Sequence, residues 1–177
     1  MQPFLTIALA LLATGCGSDS PSTPTAVVPT FTAALLDGNN ENPPISNAEA
    51  GASGNSTITF NITRDASNNI TAATATFAVN LSGFPAGTPI NIAHIHQAPA
   101  GTNGAVVVST TLAAGEVTLA NGSGSFTKPT SPSCRSIVAT QILNNPAGFY
   151  FNAHSHAESA AAWCAVSSCA SSNERRI

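Results

Sequence analysis

The sequence predicts an all-β protein, an antiparallel Greek-key β-sandwich of the immunoglobulin-like or dismutase-like kind with one short helix. Three observations carry that expectation. From Phe31 onward, short apolar runs recur between Gly, Pro and Asn turns. Within the runs the apolar period is two, which places alternate side chains on one face of a strand. Charged residues are only 7% of the chain against 43% hydrophobic, so Ser, Thr and Asn must solvate the surface, as in many exported β proteins. At 177 residues the chain is long enough for one domain with a substantial core.

The elements follow in order. Residues 56–63 alternate strictly, with Ile58, Phe60 and Ile62 inward and threonines outward. Asp65-Ala66-Ser67-Asn68-Asn69 is a turn into residues 70–81, where Ala73, Ala75, Phe77, Val79 and Leu81 share a face. Residues 82–87 break that strand, and 90–96, 105–110, 116–119 and 124–127 continue the series. Residues 135–143 depart from the period of two. Val138 and Ile142 stand four apart with Ile137 and Leu143 alongside, which predicts a short helix over one end of the sheets, stopped at Asn144-Asn145-Pro146. Residues 148–154 return to a strand, with Phe149 and Phe151 on one face and Tyr150, Asn152 and His154 on the other.

The first residues read as an export signal. An apolar stretch from Phe4 to Leu12 is of signal-peptide length and too short to span a bilayer. It leads into Ala13-Thr14-Gly15-Cys16, similar to a bacterial lipobox, with Cys16 the expected lipidation site and 1–15 the signal. Leu12 sits one place earlier than is usual, and Met1-Gln2-Pro3 carries no Lys or Arg; a start codon placed a few residues too late explains the latter. An ordinary secretory signal with a chance cysteine is the alternative. Residues 16–30, the cysteine and a Ser/Thr/Pro-rich stretch, read as a tether, because they lack the apolar surface to fold. The expected partner is therefore a membrane, reached through a lipid, facing the periplasm or the cell exterior. Gly17 after the cysteine favours the outer membrane where one exists. Five Lys+Arg and a net charge of -3 leave no basic patch, so nucleic-acid binding is not expected.

The chemistry-bearing segment is Ala93-His94-Ile95-His96, then Pro99-Ala100-Gly101 and Gly104. On an extended segment both imidazoles point to one face, with the two rings about 6.5 to 7 Å apart. Such a pair can share a metal, a ligand or a buried polar network. With His154 from another strand, three imidazoles make a candidate zinc or copper site with one open position. The competing reading is structural: His94 and His154 neutral and hydrogen-bonded to backbone, Asn152 or Glu41, pinning strands. Glu41 with Pro43-Pro44 reads as a rigid turn, since no second carboxylate stands at a catalytic spacing. Ser82, Ser109 and Ser155 lack a nucleophile elbow. Cys134 beside Arg135 is read as a lone surface thiol. No enzyme is expected.

Ordered motifs across residues 31–155 resemble the CHRD domain, named for repeats in the extracellular antagonist chordin and widespread in bacterial exported proteins. Gly38-x-x-Glu41-x-Pro43-Pro44 resembles its opening element, with Gly51 after it. Leu81-Ser82-Gly83-Phe84 then precedes Ala93-His94-Ile95-His96-x-x-Pro99-Ala100 and Asn103-Gly104, and Phe149-Tyr150-Phe151-Asn152-x-His154-Ser155 resembles the later His-bearing strand. The resemblance implies an exported β-sandwich module rather than a chemistry, and it marks Glu41, Pro43, Pro44, His94, His96, Asn152 and His154 as binding-site candidates. It also implies a non-enzymatic binding or scaffold role at the envelope, toward an extracytoplasmic protein or polymer, with copper or zinc binding as the alternative. The lead into the His pair distantly resembles copper/zinc superoxide dismutase, but that enzyme's zinc-loop histidines and aspartate have no counterpart, so dismutase activity is not expected.

The resemblance ends at Ser155, and residues 156–177 form an atypical tail. Similar chains continue with a closing strand of the kind NPxGxIRGQL. One choice of codons for residues 158–168, read two bases on, spells IRGGVVRGQL, and codons for 156–159 read one base on spell TLNP. This predicts a frameshift from about His156, so that Cys164 and Cys169 are artefacts and Cys134 is left single. The gene's DNA tests it: an unbroken frame with unrelated codons removes the idea. A shift carried into the protein would remove the closing strand and expose a sheet edge.

Overall fold

The computed structural model describes residues 28–35, 43–99, 101–130, 134–155 and 170–171. Cys16, Glu41, Ala100, His156, Cys164 and Cys169 lie outside the described residues, as do the signal, the tether before Val28 and the tail apart from Ala170 and Ser171.

Among the described residues there are nine strands and one α-helix: β1 (Thr30–Leu35), β2 (Ser53–Arg64), β3 (Ile70–Ser82), β4 (Thr88–Gln97), β5 (Ala105–Ser109), β6 (Val117–Leu119), β7 (Gly124–Pro129), α1 (Ser136–Asn144), β8 (Phe149–Ser155) and β9 (Ala170–Ser171). One sheet has the order β7-β3-β2-β1-β9. In the other, β4 is central and antiparallel to β5, β6 and β8. The neighbours β3–β7 and β4–β8 are distant in sequence, which requires the chain to cross between sheets as in Greek-key sandwiches.

The β2–β3 hairpin is set by its turn. Asp65 Oδ1 accepts the amide hydrogens of Ser67 and Asn69, and Asn68 takes a left-handed φ of 67°. The Asn69 side chain and amide, bonded to the Asp65 carboxylate, hold that carboxyl below its ordinary range. From the turn, strict alternation places Ile58 and Phe60 on β2, and Ala73, Ala75, Phe77, Val79 and Leu81 on β3, in one core. The opposing sheet contributes Ala93, Ile95, Val108, Leu119, Phe151 and Ala153. Phe77 stacks on Phe151 across the sandwich at 5.7 Å between ring centroids.

Two expectations are corrected. Ile137 does not share the packed face of α1: Val138, Ala139 and Ile142 are buried, while Ile137 is 57% exposed. A helix turns about 100° per residue, which carries position 137 off the stripe that 138 and 142 define. Cys134 is not a surface thiol. It is buried beside α1 in a bridge to Ala73, and desolvation pushes its pKa up.

One irregularity sets the orientation of β4. Ile90 pairs with Ser155 and Ile92 with His154, so Asn91 is an extra residue on β4. Such a bulge changes the face that following side chains occupy. Ile90 accordingly lies in the core, whereas Ile92, two residues on, is 39% exposed.

Candidate histidine centre

Beyond the bulge the alternation is regular. Ala93 and Ile95 point into the core opposite Ala153 and Phe151. His94 and His96 therefore lie on the other face of the sheet, opposite Asn152 and Tyr150, and His154 stands opposite Ile92. Two strands thus place three histidines, a tyrosine and an asparagine on one face, and all five are buried.

The rings converge more than strand spacing requires. His94 lies 4.5 Å from His96 and 4.8 Å from His154, centroid to centroid. One nitrogen from each of the three lies within 4.8 Å of the others. The Nε2 atoms of His94 and His154 are 3.0 Å apart, so one ring donates to the other. His96 Nδ1 lies 2.7 Å from the Gly104 carbonyl. A carbonyl only accepts, so Nδ1 carries the proton and Nε2 presents its lone pair. Tyr150 stacks on the His96 ring at 4.8 Å and 5°, and its hydroxyl accepts the Gly104 amide. The β4–β5 loop therefore holds His96 from its edge and Tyr150 holds it from its face.

Burial is the main cause that pushes the His94 pKa from 6.5 down to about 3, with repulsion from His154 and His96 adding to it. His94 is thus neutral at physiological pH, the form that binds metals.

The polar accounting is incomplete at this centre. Five buried side-chain atoms have no hydrogen-bond partner among the described residues: Ser56 Oγ, His94 Nδ1, His96 Nε2, Asn152 Nδ2 and Asn152 Oδ1. Four of them belong to this one sheet face. Leaving a polar group dry and unpaired costs on the order of 1–3 kcal/mol, so such a concentration marks a place completed by something else. Of the partners that the structural reading offers the histidines, Asn152 is not one: it and His94 are register partners without a bond between their side chains, while His94 is bonded to His154 and Glu41 lies outside the described residues.

Glu49 was not singled out from the sequence. Its carboxylate is buried and accepts a 2.6 Å hydrogen bond from Ser155 Oγ, next to His154 in the chain. The available signal was isolation: Glu49 is the only charged residue between Glu41 and Arg64. Pro43 and Pro44 are exposed on the approach to that loop and do not join the histidines.

Gly104 is the tightest point around His96. A Cβ there would lie 2.4 Å from the Gln97 carbonyl oxygen and 2.7 Å from the Ala98 Cβ. Gly104→Ala is expected to cost about 1–3 kcal/mol in urea unfolding, because the backbone must move to admit it. An unchanged midpoint would show that the loop yields freely.

Fold and site together define a β-sandwich module that carries a buried cluster of three imidazoles on one sheet. The chain belongs to the CHRD domain family, whose profile matches residues 32–161, well over half of its length. Comparisons with curated proteins and with solved structures give no match.

Proposed function

We propose that this protein is an exported, envelope-tethered and non-enzymatic module that binds one copper or zinc ion through His94, His96 and His154. The observation that carries the metal reading is the convergence of three imidazole nitrogens within 4.8 Å. Imidazole donors suit zinc and copper, whereas calcium and magnesium need oxygen ligands. The bond from His96 Nδ1 to the Gly104 carbonyl has the form of the outer contacts that orient metal-binding histidines. Export and lipid tethering through Cys16 are supported by the apolar leader, the lipobox-like tetrapeptide and the Ser/Thr/Pro-rich stretch after it.

The test is the metal content of the exported protein beside a His94→Ala control. Stoichiometric copper or zinc, lost in the control, is the expected result. A folded, metal-free protein that takes up neither ion would overturn the metal reading. The module would then remain as a scaffold for an extracytoplasmic protein or polymer.

A further inference from the structure

A metal on three imidazoles would not complete this site. His96 has only Nε2 left to offer, since Nδ1 is held by Gly104. His94 and His154 already turn their Nε2 atoms toward each other. Coordination through Nε2 would therefore account for the orphaned nitrogen of His96 and for the ring pair, but for neither His94 Nδ1 nor the Asn152 amide.

Asn152 is 0% exposed, stands directly opposite His94, and lies between Tyr150 and His154 on the same face of β8. Its amide has two N–H donors and one acceptor oxygen. Neither Nδ2 nor Oδ1 has a partner among the described residues. A metal ion could at most engage the oxygen and can never accept from the N–H. A small oxygen or nitrogen ligand with a lone pair to spare can accept it. Three protein nitrogens on a tetrahedral ion leave one position for such an exchangeable ligand.

Building on the metal reading above, we infer that the fourth position of the tris-histidine centre is an exchangeable small-ligand site. It holds water, replaceable by a small inorganic anion, and the Asn152 side-chain amide donates to that ligand.

The experiment uses the full chain loaded with cobalt(II), whose visible bands report ligand number, and titrates it with sodium azide. Wild type is expected to show intense four-coordinate bands that shift saturably with azide. Asn152→Leu is expected to keep the cobalt bands and bind azide at least 10-fold more weakly. Asn152→Asp has nearly the same shape but is anionic, and it is expected to keep cobalt while excluding azide. Cobalt bands in wild type that ignore azide would overturn the inference and leave the metal reading standing. Azide affinity unchanged in Asn152→Leu or Asn152→Asp would remove Asn152 from it. Absence of cobalt bands in wild type would overturn the metal reading itself.

Discussion

Metal-free protein brought from pH 7 to pH 4 is expected to lose about 3 kcal/mol of stability through His94 alone. The sign follows from the direction of its shift. In the unfolded chain the ring titrates near 6.5, while burial and two neighbouring imidazoles hold it near 3 in the folded state. Below pH 6.5 the unfolded chain therefore takes up a proton that the folded one refuses, and stability falls with pH until the folded ring titrates too. For one uncompensated group the slope is about 1.4 kcal/mol per pH unit. Urea unfolding at a series of pH values measures it, with His94→Leu as the comparison. The variant should show a flatter dependence between pH 6.5 and 4, and equal slopes would show that His94 accepts a proton in the folded state. A bound metal should move the acid transition lower, because it stabilises only the folded state and competes with the same proton.

Phe77→Ala should cost about 3–5 kcal/mol, the range for truncating a fully buried aromatic. Phe77 is 0% exposed, and its ring stacks on Phe151 of the other sheet. The loss should reach beyond the core. Phe151 lies between Tyr150 and Asn152 on β8, so slack introduced under it moves the residues that form the histidine face. Denaturant unfolding gives the first number, and chelator competition on the metal-loaded variant should show weaker binding even though no ligand was changed. Stability within 1 kcal/mol of wild type would mean that the core collapses onto the gap.

The strands were legible because burial acts locally on a period of two. In β3, every second residue from Ala73 to Leu81 is apolar, and every one of them is buried. The His-x-His segment was legible as a shared face for the same reason. What the sequence concealed depends on contacts between distant segments. Glu49 lies in a run of small residues, and nothing local says that its carboxylate will meet Ser155, 106 positions on. The depth of Cys134 was hidden too, since it depends on a bridge to β3 rather than on its neighbour Arg135. The convergence of His154 with His94 comes from β4–β8 pairing across 60 residues, which a strand period cannot report.

The extra residue at Asn91 has a consequence for how related chains are aligned. Ile90 and His94 are separated by an even number of positions, and on an unbroken strand they would share a side. Here they face opposite ways, one into the core and one toward the imidazole cluster. Parity along β4 is therefore reset between them. A relative lacking one residue at this point could keep the same histidines by name and yet turn them into its apolar interior. Length in this short stretch, as much as residue identity, decides whether a related chain can possess the centre at all.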